Sequence, residues 1–183
     1  MNVEGLVLDK SQLVEGLLVR YGNGLVRYTT NILRDKEAAK EIVQECFLKL
    51  LQIKEDVPPE FIQAWLYREC RNRAFDAWGK TRRVDRLDDL GDEAVGFSAS
   101  DPLRDLETQR NLSQMHEAIA KLSDRQQEAL FLKYKDGLSY KEIAEVMGLS
   151  STNVGFILCE AMKFLRDVSV AQEEVLAKRN YGE

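Results

Sequence analysis

Two stretches of this chain carry residue types suited to holding nucleic acid. Between Phe61 and Arg83 the cations Arg68, Arg71, Arg73, Lys80, Arg82 and Arg83 interleave with Trp65, Tyr67, Phe75 and Trp78. Cations can track phosphates while flat rings accept unstacked bases, so the combination suits a single strand. Arg68, Asn72, Asp76 and Lys80 recur every fourth residue and share one side of a helix. A solvated helix face could carry the same charges; the interleaved rings favour binding, although some of them must be core. The second stretch, Ser139 to Arg166, has the spacing of a helix-turn-helix: Ala144 is small where two helices cross, Gly148 permits the turn, and Val154 fixes the second helix on the first. Two short helices in any bundle could imitate it. If it binds DNA, the helix from Thr152 enters the major groove by its first turn, with Ser139, Tyr140 and Lys141 near phosphates. Ser151, Thr152, Asn153 and Phe156 are then the groove candidates, since Asn can pair two-pronged with adenine and Phe can touch a thymine methyl.

The elements that must position these residues read as helices throughout. Leu13, Leu17, Tyr21, Leu25, Tyr28 and Ile32 recur at spacings of three and four, with Gly22 and Gly24 able to bend or split that helix. Asp35 and Glu37 suit the start of a second, whose stripe Ile42, Cys46, Leu50, Ile53 runs to Lys54 before Pro58 and Pro59. A third starts at about Glu60, with Ile62, Leu66, Cys70, Ala74 and Ala77 on its apolar side. Beyond Leu112, Met115, Ile119 and Leu122, capping boxes at Ser123 with Gln126 and at Ser139 with Glu142 announce helix starts, and Gly137 and Gly148 suit helix ends. These signals predict helices to about Leu122, over Asp124 to Lys135, over Tyr140 to Met147, and from about Thr152 to Arg166. Val154, Leu158, Ala161 and Leu165 of the last read as core.

The net charge of −5 over 183 residues hides an asymmetry. The stretch Arg68 to Arg86 is basic, whereas from Leu87 to Thr108 the acids Asp88, Asp89, Asp92, Glu93, Asp101, Asp105 and Glu107 face only Arg104, and Gly91, Gly96 and Pro102 break any period. The expectation is an all-α chain of two small helical domains, 1–86 and 109–168, joined by a flexible acidic linker, 87–108, with a tail, 169–183. A linker without periodicity should leave the two cassettes apart. The three cysteines, Cys46, Cys70 and Cys159, show no paired spacing with the single histidine, His116, which argues against a disulfide framework, a metal site or a cofactor. His116 has no evident nucleophile beside it, so an enzyme is not expected. No run approaches a membrane span and the first ten residues form no leader, so a cytoplasmic protein without membrane insertion is expected.

Ala39 to Leu51, "AKEIVQECFLKLL", with Phe61 to Arg83, "FIQAWLYRECRNRAFDAWGKTRR", resembles region two of bacterial sigma factors of the extracytoplasmic-function group. Leu122 to Arg166, "LSDRQQEALFLKYKDGLSYKEIAEVMGLSSTNVGFILCEAMKFLR", resembles their region four. The likeness implies a factor that directs core RNA polymerase to promoter DNA and helps to open it. By position it implies that Gln44, Glu45 and Phe47 dock on the polymerase clamp helices, and that region four meets the polymerase flap. It assigns Arg68, Asn72, Arg73, Asp76 and Arg83 to the start-proximal promoter element, and the loop Lys54 to Glu60 to holding a flipped base. Ser139, Tyr140, Lys141, Ser151, Thr152, Asn153, Phe156 and Lys163 would serve the upstream element.

The chain departs from the family's pattern along the recognition helix, where Gly155, Ile157, Glu160 and Met162 stand in place of frequent cations and leave Lys163 and Arg166. With so few cations the lone chain should bind duplex DNA poorly, because counterion release scales with the phosphates neutralised. Gly155, costing about 1 kcal/mol of helix propensity relative to Ala, reads as room for a close backbone approach. Two other readings stand beside the sigma factor: a sigma-like regulatory mimic that sequesters partners, and a stand-alone helix-turn-helix repressor. An anti-sigma factor is a further partner the likeness allows. The linker is either a solvated tether or a segment for the polymerase channels, and the tail either extends the last helix or packs on the first domain.

Overall fold

The computed structural model describes residues 3–53, 57–85 and 106–180, and the described elements are helices joined by short turns. In the first half, α1 spans Val3–Leu33, α2 Lys36–Gln52 and α3 Pro59–Asp85. Gly22 and Gly24 do not split α1. Helix α1 ends at Arg34, which adopts φ 61°, a left-handed conformation uncommon without glycine. Asp35 then caps α2, accepting from the amides of Glu37 at 2.9 Å and Ala38 at 3.1 Å. Pro59 opens α3 at a first-turn position where a missing amide costs no hydrogen bond. Helix α1 lies against α2 and α3, burying Leu25, Tyr28, Ile32, Val43, Cys46, Phe47, Leu50, Ile62, Leu66 and Cys70. The Cys46 and Cys70 thiols lie 3.4 Å apart in this core.

In the second half, α4 spans Leu106–Ala120, α5 Asp124–Leu130, α6 Tyr140–Met147 and α7 Ser151–Asn180. Both expected capping boxes form. Helix α5 runs on as a wider π turn, Phe131–Lys135, closed by the Asp136 amide donating to the Phe131 carbonyl, before Gly137 turns the chain at φ 74°. Gly148, at φ 67°, closes α6 with its amide on the Ala144 carbonyl, and α7 starts under the Ser150 hydroxyl, which accepts from the Asn153 amide at 3.2 Å. Leu132, Leu138, Ile143, Val146, Val154, Leu158, Ala161 and Leu165 fill the core between α5, α6 and α7. The last helix runs through the expected tail to Asn180, so on the alternatives left open the tail extends the helix.

The expected separation of the two cassettes does not hold. Helix α6 packs on α3, and Phe131 stacks on Tyr28 of α1 with ring centroids 6.0 Å apart, so the two cores run together. Tyr28 in turn meets Tyr67 edge-on at 5.3 Å. Absence of periodicity in a linker limits what the linker packs against, not what the halves do when they meet. Of the expected linker, 87–108, residues 87–105 lie outside the described residues, and α4 takes up the rest from Leu106.

Candidate nucleic-acid and polymerase interface

Helix α3 sorts its residues cleanly. Ile62, Leu66, Cys70 and Ala74 face the core, and Tyr67 joins them with 1% exposure, so Tyr67 is no base platform. Trp65 is half-buried, with the Lys49 ammonium 5.9 Å from its ring centre. Phe75 and Trp78 remain exposed, at 39% and 36%, and meet edge-on with centroids 6.3 Å apart. The Arg71 guanidinium lies 4.6 Å above Phe75. Asn72 and Asp76 are exposed on the neighbouring stripe, and the side chains of Lys80 to Asp85, Arg83 among them, lie outside the described residues. The pocket loop falls partly outside as well, at 54–56.

Among the described residues, the cations of this helix, Arg68, Arg71 and Arg73, are held by carboxylates. Arg73 pairs with Glu45 of α2 and with Glu69 at 3.1 Å. Glu69 also takes the Lys49 ammonium at 2.6 Å. Burial pushes the Glu69 carboxyl up, but hydrogen bonds from Lys49 and Arg73 outweigh it and hold it below its ordinary value of 4.5. A lowered carboxylate contributes stability that is present above the unfolded value and is lost as pH falls through the folded one. Thermal unfolding from pH 6 downwards should therefore show a loss beginning near 4.5 in the wild type that Glu69→Gln largely lacks.

On α2, Gln44 and Glu45 are exposed as a docking role requires. Phe47 is not. It lies in the core with 5% exposure, whereas the adjoining Leu48 is 49% exposed and Leu51 37%. Phe47 therefore leaves the docking set for a packing reason: Val43, Cys46, Phe47 and Leu50 form one apolar face. That spacing was legible in the sequence.

At the helix-turn-helix, Ser151, Thr152, Asn153 and Phe156 are all exposed on the first turns of α7, Phe156 at 60%, and Lys163 is exposed further along. Tyr140 and Lys141 are exposed at the start of α6, where Lys133 lies 5.2 Å from the centre of the Tyr140 ring. The Ser139 hydroxyl is engaged as the α6 cap. Ile157, one of the residues standing in place of the family's frequent cations, is core at 8% exposure. Gly155 has no backbone near it beyond its own helix; a Cβ there would meet the Tyr140 ring at 3.6 Å, an ordinary contact. Gly155→Ala should therefore raise stability by up to about 1 kcal/mol through helix propensity, visible as a higher Tm.

The region-2 family model, "Sigma-70 region 2", matches residues 17–84, and "Sigma-70, region 4" matches residues 112–165. The chain is 30% identical over 140 residues, 72% of this chain and 74% of that protein, to the ECF RNA polymerase sigma-E factor of Haemophilus influenzae. The chain belongs to the sigma factors of the extracytoplasmic-function group. It is also similar to the RNA polymerase sigma factor SigV of Bacillus subtilis, with 27% identity over 173 residues, 92% of this chain and 99% of that one. Among solved structures, its fold resembles that of the sigma factor RpoE in its complex with the anti-sigma factor NepR from Bartonella quintana, at a TM-score of 0.63 and 19% identity, covering 84% of this chain and 94% of that one. CnrH, in a complex with the cytosolic domain of CnrY, aligns at a TM-score of 0.58 and 22% identity, covering 90% of this chain and 92% of that one. A sigma factor directs RNA polymerase to promoters, and that is the function of this chain. Among the described residues no helix is long and apolar enough to cross a membrane.

Proposed function

We propose that the sigma factor divides its work between its two faces. Helix α3 takes the start-proximal element as an opened strand, through Arg68, Asn72, Arg73, Asp76 and Arg83, with Phe75 and Trp78 as stacking platforms. The observation that carries this reading is the pair of exposed rings in mutual contact beside Arg71, on a helix whose Tyr67 is sealed in the core and whose exposed Phe61 lies near its far end. Gln44 and Glu45, with Leu48 and Leu51 beside them, dock on the clamp helices of the polymerase. The first turns of α7 read the upstream element through Ser151, Thr152, Asn153 and Phe156. Ser139, Tyr140 and Lys141 lie near phosphates, Lys163 supports the contact, and this domain meets the polymerase flap. The chain works in the cytoplasm, needs no cofactor and performs no catalysis of its own; the polymerase supplies it. An anti-sigma factor is a fitting partner, as RpoE is held in a complex of that kind. The domains assigned to these tasks are residues 1–86 and 109–168, bridged by 87–108 and followed by 169–183.

The test is transcription of fragmented genomic DNA by core polymerase with and without the chain, read by sequencing the products. Start sites that share two spaced motifs are expected only with the chain present. A sigma-like mimic would yield no such transcripts, and a stand-alone repressor would bind its sites tightly without polymerase.

A further inference from the structure

The seam between the two halves is polar, buried and made across long sequence separations. Glu128 of α5, 8% exposed, accepts from the Tyr28 hydroxyl of α1 at 2.5 Å and from Arg71 of α3 at 2.7 and 3.3 Å. Asp136, its side chain 5% exposed, accepts from the buried Tyr67 hydroxyl and faces Arg27 at 3.8 Å, while its carbonyl accepts from Gln63 at 3.1 Å. Arg68 pairs with Glu145 of α6 at 2.8 Å. Gly24 lies where the seam is tightest: a Cβ there would come within 2.7 Å of the Tyr67 hydroxyl and 3.2 Å of the Asp136 carboxylate. The Tyr67 ring has no room to retreat, because it is sealed in the core against Tyr28.

We propose that this seam is an autoinhibitory clasp. The helix-turn-helix half supplies carboxylates, Glu128 and Glu145, that occupy Arg71 and Arg68 on the strand-binding face of α3, so the closed chain presents that face already neutralised. The inference rests on the proposed role of α3. A factor reading two separated promoter elements must part its halves, and this seam is built to part: ion pairs and hydroxyls surround its apolar contact of Phe131 on Tyr28, and separable interfaces are polar in this way. The Asp136 Oδ2 atom is buried without a hydrogen-bond partner, a desolvation cost that opening returns. The groove candidates on α7 stay exposed in the closed form, so the clasp silences α3 first.

The experiment measures the opening of the full chain. Nitroxide labels at the exposed Cys159 and at Val19→Cys report the distance between halves by pulsed electron resonance, and anisotropy of a fluorescent oligothymidylate reports access to α3. The variants are Glu128→Gln with Asp136→Asn and Glu145→Gln, which removes the charges of the three seam carboxylates, and Gly24→Ala, which wedges the seam by shape. Circular dichroism checks that helix content is kept. Each variant is expected to lengthen the label distance and to raise the open fraction about ten-fold, with oligothymidylate bound about ten-fold more tightly, since apparent affinity follows the competent fraction. Unchanged distances in both variants would overturn the clasp, and longer distances with unchanged oligothymidylate affinity would overturn its inhibitory role. Failure of the sigma reading itself would appear separately, as wild-type chain that directs no transcripts with core polymerase while the label distances still respond.

Discussion

Alanine at both Phe75 and Trp78 is expected to slow promoter opening by thirty-fold or more while leaving polymerase binding intact. Both rings are exposed on α3, and their edge-on contact holds them as one platform beside the Arg71 guanidinium. Stacking a base on an aromatic ring contributes about 1–3 kcal/mol, so two lost platforms remove about 2–6 kcal/mol from the captured strand. The same energy is available only once the duplex has opened, which places the loss on the opening step rather than on initial docking. Removing exposed rings costs the fold little, so the helix should persist by circular dichroism. Stopped-flow fluorescence from a probe in the start-proximal element measures the rate. Opening at the wild-type rate with both rings gone would assign the strand to another surface.

Val154→Asp is expected to abolish upstream recognition and to spare the first half. Val154 is fully buried in the first turn of α7, where it fixes that helix on α6. A carboxylate there has no partner among the apolar residues around it, and burying an unpaired charge costs several kcal/mol, comparable to the whole stability of a small domain. The carboxylate reaches water only if α6 and α7 come apart. Amides of these two helices should lose hydrogen-exchange protection, and transcription from templates that need the upstream element should fall a hundred-fold or more. Start-proximal contacts should survive, because α1, α2 and α3 keep their own core. Protected amides in α6 and α7 with full upstream-dependent transcription would contradict the assignment.

What the sequence disclosed follows from how local the cause is. The capping boxes at Ser123 and Ser139 and the left-handed glycines at 137 and 148 depend on residues within a turn of one another, and each forms as read. The apolar positions Val154, Leu158, Ala161 and Leu165 are buried as their spacing indicates. Phe47 falls under the same rule: it adjoins Cys46 and completes a run with Val43 and Leu50 at intervals of four and three, and the family's positional pattern outweighed that spacing. The docking of the halves had no local signal. Tyr28 and Glu128 are 100 residues apart, and nothing in the surroundings of either announces the other. Gly24 reads as a helix bender from its propensity, whereas its cause is the Tyr67 hydroxyl reaching in from α3. Arg71 looked like one cation among several until its partner was placed beside it.

The measurement that bears most directly on α3 is permanganate reactivity of thymines at start sites used by core polymerase with this chain, compared with the chain carrying Arg68→Ala, Asn72→Ala and Arg83→Ala. Reactivity marks unpaired thymines, and polymerase binding is followed in parallel. The account predicts that the substituted chain still binds polymerase but leaves these thymines unreactive. Full reactivity with all three side chains removed would contradict it.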